Sequence, residues 1–230
     1  AQDPATYAVV TFNPNGGSFV GQALVAKGST VAKPQDPTLA GATFTGWYKD
    51  TALEDAFNFA SAITQDMTLY ARWQGSAADN TVVVIFNPNG GSFVQSQIIT
   101  RGQSATRPAD PTRTGATFDT WCADTSLAVP YVFGSAVNED TTVYARWSAN
   151  AGYHSVTFNT GGSQDFIETQ IVADGAYATK PATDPVRENA VFDAWCADTA
   201  LEVAFGFTST PITQDMTLYA RYKAQNPATY

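Results

Sequence analysis

The chain is poor in the side chains that carry most enzyme chemistry. Its 230 residues include one histidine, His154, and two cysteines, Cys122 and Cys196. Zinc sites are built mainly from several Cys and His ligands, so the ligand count argues against a zinc site. No D-x-D-x-D-G loop of the calcium-binding type occurs either. We therefore predict no metal ion, no cofactor and no catalytic residue.

Positive charge is also scarce. The chain has 12 Lys and Arg residues against 21 Asp and Glu residues, which gives a net charge of −9. The basic residues form no cluster, whereas nucleic-acid and anionic-membrane surfaces depend on such clusters. The sequence thus predicts no nucleic-acid partner, and the acidity mainly favours solubility.

Long hydrophobic runs are missing. Although 44% of the residues are hydrophobic, no apolar segment approaches the ~20 residues that span a bilayer as a helix. We expect no direct insertion into a membrane. No signal-peptide pattern or anchoring tail is visible, which indicates either a cytosolic protein or a segment of a longer chain.

Against these absences stands a threefold internal repeat. The segments ATFTGWYKDTAL, ATFDTWCADTSL and AVFDAWCADTAL begin at Ala42, Ala116 and Ala190, and their tryptophans are 74 residues apart. Length alone would predict one or two domains, but the repeat predicts three. We place these domains at residues 7–74, 81–148 and 154–223, with residues 1–6 and 224–230 as linker segments.

The two cysteines hold the same position in successive repeats. A disulfide requires Cα atoms within ~7 Å of each other, whereas equivalent positions of neighbouring domains are separated by about the width of a domain. We therefore expect Cys122 and Cys196 to be free thiols. Tyr48 holds this position in the first repeat.

The two ends of the chain carry nearly the same heptapeptide. Residues 1–7 read AQDPATY and residues 224–230 read AQNPATY, whereas the internal linkers 74–81 and 148–154 have other sequences. The pattern predicts that the set of three repeats itself recurs within a longer chain.

Each repeat is predicted to open with a β-hairpin. A β-branched run ends in an Asn- and Gly-rich turn, where both residue types accept positive φ. The predicted first strands are Val9–Asn13, Val83–Asn87 and Ser155–Asn159. The predicted second strands are Gln22–Ala26, Gln97–Thr100 and Gln170–Ala173. Two prolines follow within a few residues and exclude a central strand, so we expect a rigid connector across one sheet face, with room for one helical turn.

The tryptophan segment presents a problem of parity. Phe44 and Trp47 are three residues apart, so a regular strand places them on opposite faces. A bulge at Gly46 lets both side chains point inward, and the small residues Thr120 and Ala194 stand at the same position. We expect buried tryptophans. The alternative is an outward tryptophan, covered by the connector or open to a ligand.

The last strand of each repeat shows the clearest alternation. In Met67–Trp73, period two places Leu69, Ala71 and Trp73 on the core face and leaves Thr68, Tyr70 and Arg72 half-exposed. The equivalent strands are Thr141–Trp147 and Met216–Tyr222. The predicted structural core contains Phe12, Phe44, Trp47, Trp73, Phe86, Phe118, Trp121, Trp147, Phe158, Phe192 and Trp195.

The outward face of these last strands is the candidate ligand or partner surface. Tyr and Arg are enriched at protein interfaces, and this face repeats the pair in every unit. The candidate residues are Tyr70, Arg72, Tyr144, Arg146, Tyr219 and Arg221. The alternative is an ordinary sheet face on which tyrosine covers arginine.

Two candidate catalytic arrangements fail on their pattern. A nucleophilic pair of His154 with either cysteine has no counterpart in the first repeat, where Tyr48 replaces the thiol and no histidine occurs. Adjacent carboxylates such as Glu54 and Asp55 are typical of a solvated turn in an acidic chain. We predict a protein that is not an enzyme.

The order of the motifs resembles the Listeria–Bacteroides repeat, which is related to the B-repeat of internalin-type surface proteins. The motifs are the F-N-x-N-G-G turn, K-P-x-D-P-T, F-x-G-W-Y and I-T-x-D-x-T-L-Y-A-R-W. The resemblance covers all three units and implies β-grasp-like folds in tandem, in bacterial secreted or wall-anchored proteins, without a catalytic motif. Departures are Thr120 and Ala194 for Gly46, the two cysteines for Tyr48, and a third turn one residue shorter.

These expectations combine into a mainly β protein, with a small α+β fold as the variant. Three β-grasp-like domains form an elongated array in a stalk or spacer segment of a bacterial surface or secreted protein, with room for weak adhesive contacts. The alternative is an adhesin that binds a host or cell-wall glycan or protein through exposed aromatic residues. Flanking domains of the same chain are the other expected partners.

Overall fold

The computed structural model describes residues 5–163 and 165–225. Every regular element in these ranges is a β-strand. The first repeat contains β1 (Tyr7–Asn13), β2 (Ala23–Ala26), β3 (Ala42–Tyr48) and β4 (Met67–Gly75). The second contains β5 (Thr81–Asn87), β6 (Gln97–Thr100), β7 (Ala116–Cys122) and β8 (Thr141–Ala149). The third contains β9 (Tyr153–Asn159), β10 (Gln170–Ala173), β11 (Ala190–Cys196) and β12 (Met216–Ala224).

The described strands form three four-stranded sheets with the same strand order. In the first, the order is β2-β1-β4-β3. β1 pairs antiparallel with β2 and parallel with β4, and β4 pairs antiparallel with β3. The first and last strands of a repeat are therefore central, which explains why they carry the most regular apolar alternation. The prediction of three tandem, mainly β units is confirmed.

The helical turn allowed for in the connector does not form. Residues 5–163 and 165–225 contain no helix, and hence no helix that is long and apolar enough to cross a bilayer. Pro34 and Pro37 lack amide donors and restrict the preceding residues to extended conformations. The connector instead contributes Val31 to the core, where its side chain is buried. The α+β variant of the fold prediction is thus wrong.

The predicted bulge occurs where parity demanded it. Phe44 pairs with Trp73 and Gly46 with Arg72, which leaves Thr45 as the extra residue, and the same shift lies between Phe192 and Ala194. Gly46 has a φ of 150°, but Ala194 has no positive φ. The bulge therefore does not depend on glycine. It turns the tryptophan inward in each case where it is seen.

The three tryptophans of the bulged strands are buried. Trp47, Trp121 and Trp195 expose 2%, 1% and 2% of their surface. Trp47 packs edge-on against Phe12, with ring centroids 5.0 Å apart, a favourable arrangement of aromatic rings. Of the other predicted core residues, the buried ones are Phe12, Trp73, Phe86, Trp147 and Phe158. The half-buried ones are Phe44, Phe118 and Phe192.

By contact, the chain divides into two compact units. One holds the described residues up to Pro88 together with Ser92–Pro111 and Pro130–Tyr144, and the other holds Asn89–Gly91, Thr112–Val129 and the described residues from Ala145. The division passes through the second repeat, because part of that repeat contacts the first repeat and part contacts the third. The three domain boundaries taken from the sequence stay a prediction.

The connections between repeats are shorter than the sequence suggested. β4 continues to Gly75 and β5 begins at Thr81, and β8 continues to Ala149 while β9 begins at Tyr153. At the C-terminal end, Ala224 belongs to β12 rather than to a linker. Most of the two matching terminal heptapeptides, residues 1–4 and 226–230, lies outside the described residues, so the recurrence of the three-repeat set stays a prediction.

Candidate functional site

Each repeat has a loop after its third strand that is held by an aspartate. The Asp50 carboxylate accepts hydrogen bonds from the backbone amides of Glu54 and Asp55. Asp198 accepts from Glu202 at 3.1 Å and from Val203 at 2.8 Å. A short carboxylate side chain commonly organises a turn in this way. The aspartates of the tryptophan segment thus bind their own backbone.

The same loop forces a leucine into the left-handed region. Leu53, Leu127 and Leu201 have φ values of 63°, 59° and 60°. In this region, a residue other than Gly, Asn or Asp has a backbone conformation that is roughly 1–2 kcal/mol less stable than the right-handed one. Leu53 and Leu127 are nevertheless buried in the core, so the burial of the side chain offsets the backbone strain.

The candidate arginines bind this loop. Arg72 Nη1 donates to the Leu53 carbonyl at 3.3 Å, Arg146 to Leu127 at 3.1 Å, and Arg221 to Leu201 at 2.9 Å. Each arginine of the predicted partner surface therefore holds the strained leucine of its own repeat.

The second contact of the arginine differs between repeats in a correlated way. Arg146 pairs with Asp119 and Arg221 with Asp193, each at 2.6 Å. The first repeat has Thr45 at the aspartate position, and there Arg72 lies over the Tyr48 ring, 5.4 Å from its centroid. The exchange of tyrosine for cysteine thus accompanies the exchange of threonine for aspartate. The arginine thus has either an aspartate carboxylate or a tyrosine ring as its second contact.

The candidate tyrosines have different surroundings. Tyr70 stacks on Phe93 of the following repeat, with centroids 4.8 Å apart. Tyr144 is half-buried, and burial raises the pKa of its hydroxyl, with Glu54 acting in the same direction. Tyr219 lines an open cleft of about 320 Å³ together with Thr125 of the second repeat. The three tyrosines thus differ in their local contacts, and the common partner surface stays a prediction.

The cysteines are buried free thiols. Cys122 and Cys196 expose none of their surface, and burial is the main cause that raises the pKa of both thiols. Cys122 Sγ lies 3.4 Å from the Leu127 carbonyl. His154 pairs with the carboxylate of Asp174, with Nε2 2.8 Å from Oδ1. Among the described contacts, His154 is therefore paired with a carboxylate and not with a thiol.

Sequence analysis missed an aspartate that ties the two central strands together. The carboxylates of Asp66, Asp140 and Asp215 accept from the amides of Val9, Val83 and Ser155, at 2.8, 2.8 and 2.7 Å. Asp140 also accepts from Gly75 of the preceding repeat at 3.0 Å. The signal was present as an aspartate before each closing strand, but its partner lies 57 or more residues away.

Sequence analysis also missed the buried asparagine that joins the first repeat to the second. Asn15 Nδ2 donates to the Ala71 carbonyl at 2.9 Å and to Ser96 Oγ at 3.0 Å. The Ser96 amide donates back to Asn15 Oδ1 at 2.9 Å. Asn15 exposes 1% of its surface and Ser96 6%. A buried polar group of this kind must be fully paired, because an unpaired one costs ~1–3 kcal/mol.

The same arrangement joins the second repeat to the third. Asn89 Nδ2 donates to the Ala145 carbonyl at 2.9 Å and to Thr169 Oγ1 at 3.2 Å, and the Thr169 amide donates to Asn89 Oδ1 at 2.8 Å. The Arg113 guanidinium adds bonds to the carbonyls of Asn89 and Thr169. Burial lowers the pKa of this guanidinium.

The first joint has an apolar component that its sequence signals. β5 is buried along almost its whole length, and Val83 and Ile85 belong to the core cluster of the first repeat. Leu39 packs on the same cluster at the position that Arg113 takes in the second repeat. The unbroken run Val82–Phe86 lacks the alternation of a strand with one solvent face, and this run indicates burial on both faces.

The aspartate loops predict a pH dependence. Hydrogen bonds from the amides of Val203 and Glu202 lower the pKa of Asp198. A lowered folded-state pKa stabilises the fold above the ordinary carboxyl pKa, and this stabilisation is lost as pH falls through the folded-state value. We expect Asp198→Asn to lower the urea midpoint, followed by circular dichroism, by more at pH 7 than at pH 2.5, where part of this stabilisation is already lost. Equal losses at both pH values would contradict a role for the charge.

No group of three or more His, Cys, Asp or Glu side chains suited to a metal ion occurs in residues 5–163 and 165–225. A polar cleft of about 380 Å³ is lined by Tyr48, Arg72, Gln74, Asp140 and Thr142, among others. This cleft is open and offers hydrogen-bond donors and acceptors beside the aromatic ring of Tyr48.

Comparisons with known proteins agree with this architecture. The model of the Listeria-Bacteroides repeat domain matches residues 9–72, 83–146 and 154–221. Two proteins of Evansella cellulosilytica are each 34% identical to the chain. One, named "Putative Gly-rich membrane protein", is matched over 93% of this chain and 24% of its own length. The other, named "Putative membrane protein", is matched over 94% and 32%.

The chain thus spans about a quarter to a third of the length of the curated relatives it matches. The three family matches fall on the three sheets, each from its first central strand to its last. Together they cover most of the sequence, and the chain therefore belongs to the Listeria–Bacteroides repeat domain family.

Proposed function

We propose that this chain is a spacer segment of a bacterial surface protein that does not act as an enzyme. Its task is to hold another part of the same protein away from the cell. The relatives of Evansella cellulosilytica carry names of membrane proteins, which supports a location at the cell surface. The short connections between strands of successive repeats limit their independent motion.

The buried joints between repeats are the observation that carries this proposal. Each joint pairs a buried asparagine of one repeat with a hydroxyl residue of the next. Pairs of this kind resist separation, because pulling them apart leaves buried polar atoms without partners. Two such joints in one chain suit a segment that transmits force along a tandem array.

The engagement of the arginines also supports a spacer. Arg72, Arg146 and Arg221 all donate to backbone carbonyls of their own repeats. One nitrogen of each guanidinium group thus stabilises the loop of its own repeat, which supports a structural role for these arginines.

Small-angle scattering tests the spacer. A compact globule of 230 residues has a radius of gyration of about 17 Å by the usual scaling. The spacer function predicts an elongated particle with a clearly larger radius. A radius near that of a globule would contradict it.

The polar cleft at Tyr48 favours one second candidate, an adhesin that binds a glycan or protein. Sugar sites combine an aromatic ring with hydrogen-bonding groups, and this cleft has Arg72, Gln74 and Asp140 beside Tyr48. A glycan and matrix-protein panel tests this candidate with wild type and a Thr142→Trp variant that fills the cleft. Binding that this variant abolishes would favour the adhesin, and no binding would favour the spacer.

A further inference from the structure

The joint asparagine is not repeated in all three units. The turn after the first strand has the same conformation in the first and third repeats: φ is 49° and 89° at Asn15 and Gly16, and 64° and 92° at Gly161 and Gly162. The amides of Asn15 and Gly161 both donate to the asparagine two residues earlier, at 2.9 Å. Gly161 therefore stands where the first two repeats have Asn15 and Asn89.

From the asparagine that accepts this hydrogen bond to the residue before the second strand, the third repeat has one residue more than the other two (159–169 against 13–22 and 87–96). The difference in length therefore falls after the turn, not within it. The closing strand supports the same alignment. Trp73 Nε1 donates to the Pro14 carbonyl at 3.1 Å, and Tyr222, which replaces the tryptophan, donates through its hydroxyl to the Thr160 carbonyl at 2.7 Å. The third repeat keeps the turn and its support but lacks the side chain that reaches the next repeat.

The hydroxyl half of the joint is missing at the other end of the set. Ser96 and Thr169 directly precede the second strands of their repeats. The first repeat has Gln22 directly before β2, and this side chain is exposed. Phe93, which stacks on Tyr70 at the first joint, corresponds to Phe19 in the first repeat, and Phe19 is 89% exposed.

The chemistry of the joint is selective. The asparagine amide donates twice and accepts once, which no carboxylate or aliphatic side chain can do. The partner must offer a small side chain with an acceptor, next to a free backbone amide. Glutamine at that position is too long for the buried site, and valine would leave the amide hydrogen unpaired at a cost of ~1–3 kcal/mol.

We propose that the turn asparagine and the hydroxyl before the second strand are a pairing code between consecutive repeats. The first repeat carries only the asparagine half, the second carries both halves, and the third carries only the hydroxyl half. A repeat that carries the turn asparagine pairs with a repeat of the same fold that has Ser or Thr directly before its second strand. The code fixes the order of the three repeats and ends at both outer faces of the set.

The proposal deepens the spacer function, and the native thiols test it in the full chain. Cys122 reports on the second repeat and Cys196 on the third, because both are buried when folded. A urea series with a short pulse of N-ethylmaleimide, followed by peptide mass spectrometry, gives a labelling curve for each thiol. The pairing predicts coincident midpoints in the wild type, and separate midpoints would overturn it.

Two variants then break the second joint from opposite sides. We expect Asn89→Ala and Thr169→Val each to separate the two curves, with labelling of the thiols differing about tenfold at intermediate urea. Thr169→Ser retains the hydroxyl and should keep the curves together. Coincident curves in both Asn89→Ala and Thr169→Val would overturn the code.

A matched control excludes a general loss of stability. Asn15→Ala makes the same change at the first joint. It should leave the labelling curves of Cys122 and Cys196 coincident, and separation of the two curves in this variant would overturn the proposal. If scattering shows an elongated particle but the labelling midpoints of Cys122 and Cys196 differ in the wild type, the spacer function stands and the pairing code is wrong.

Discussion

Replacing Trp121 with alanine is expected to unfold the second repeat. Trp121 exposes 1% of its surface and packs on Phe118, with ring centroids 5.4 Å apart. Truncation of a buried tryptophan costs ~3–5 kcal/mol, which is a large part of the ~5–15 kcal/mol that stabilises a domain. A small repeat without a disulfide has a low free energy of unfolding, so a loss of this size is enough to unfold it.

The measurement is the labelling rate of Cys122 in native buffer together with the thermal melt. We expect rapid labelling of Cys122 and a smaller total unfolding transition in the thermal melt. Phe19→Ala is the control, because Phe19 is 89% exposed and its loss should change neither quantity. An unchanged profile and a protected Cys122 in Trp121→Ala would show that the indole is not essential to the core.

Leu53→Ala is expected to destabilise the first repeat by about 2–5 kcal/mol, and Leu53→Gly by less. Leu53 exposes 2% of its surface, so either change loses the buried side chain. Alanine keeps the strain of a φ of 63°, whereas glycine removes roughly 1–2 kcal/mol of it. Glycine is normally the worse choice, by about 0.5–1 kcal/mol, so the expected order is reversed.

Leu69 provides the matched control for this reversal. It is fully buried in β4 and has no positive φ, so Leu69→Ala should be more stable than Leu69→Gly. Urea midpoints of the four variants, followed by circular dichroism, decide the matter. The same order of Ala over Gly at both positions would contradict the strain assigned to Leu53.

The tryptophan segment shows how far sequence reasoning reaches. Parity alone required a bulge between Phe44 and Trp47, and the bulge lies there because both side chains are hydrophobic and a strand alternates strictly. The same reasoning did not find the intramolecular contact of the neighbouring Arg72. A half-exposed arginine beside a tyrosine resembles an interface residue, but its carbonyl partner on Leu53 is 19 residues away and has no side-chain signature.

The joints show the same limit. Asn15 and Asn89 look like turn residues, and their positive φ indeed serves the turn. Nothing local distinguishes such an asparagine from one whose amide reaches the next repeat. The hydrogen bonds to Ser96 and Thr169 show that the side chain also contacts the next repeat, and Gly161 shows that the turn forms without it.

The sequence by itself determined the number of repeats, the twelve strands within a few residues, the turns and the inward tryptophans. These features follow from period-two alternation, β-branching and the φ preferences of Gly, Asn and Pro, which act within a few residues. Only the tertiary structure decided the strand order, the role of the arginines and the pairing of the repeats. These depend on backbone atoms and on residues as far as 81 positions apart, which local patterns do not encode.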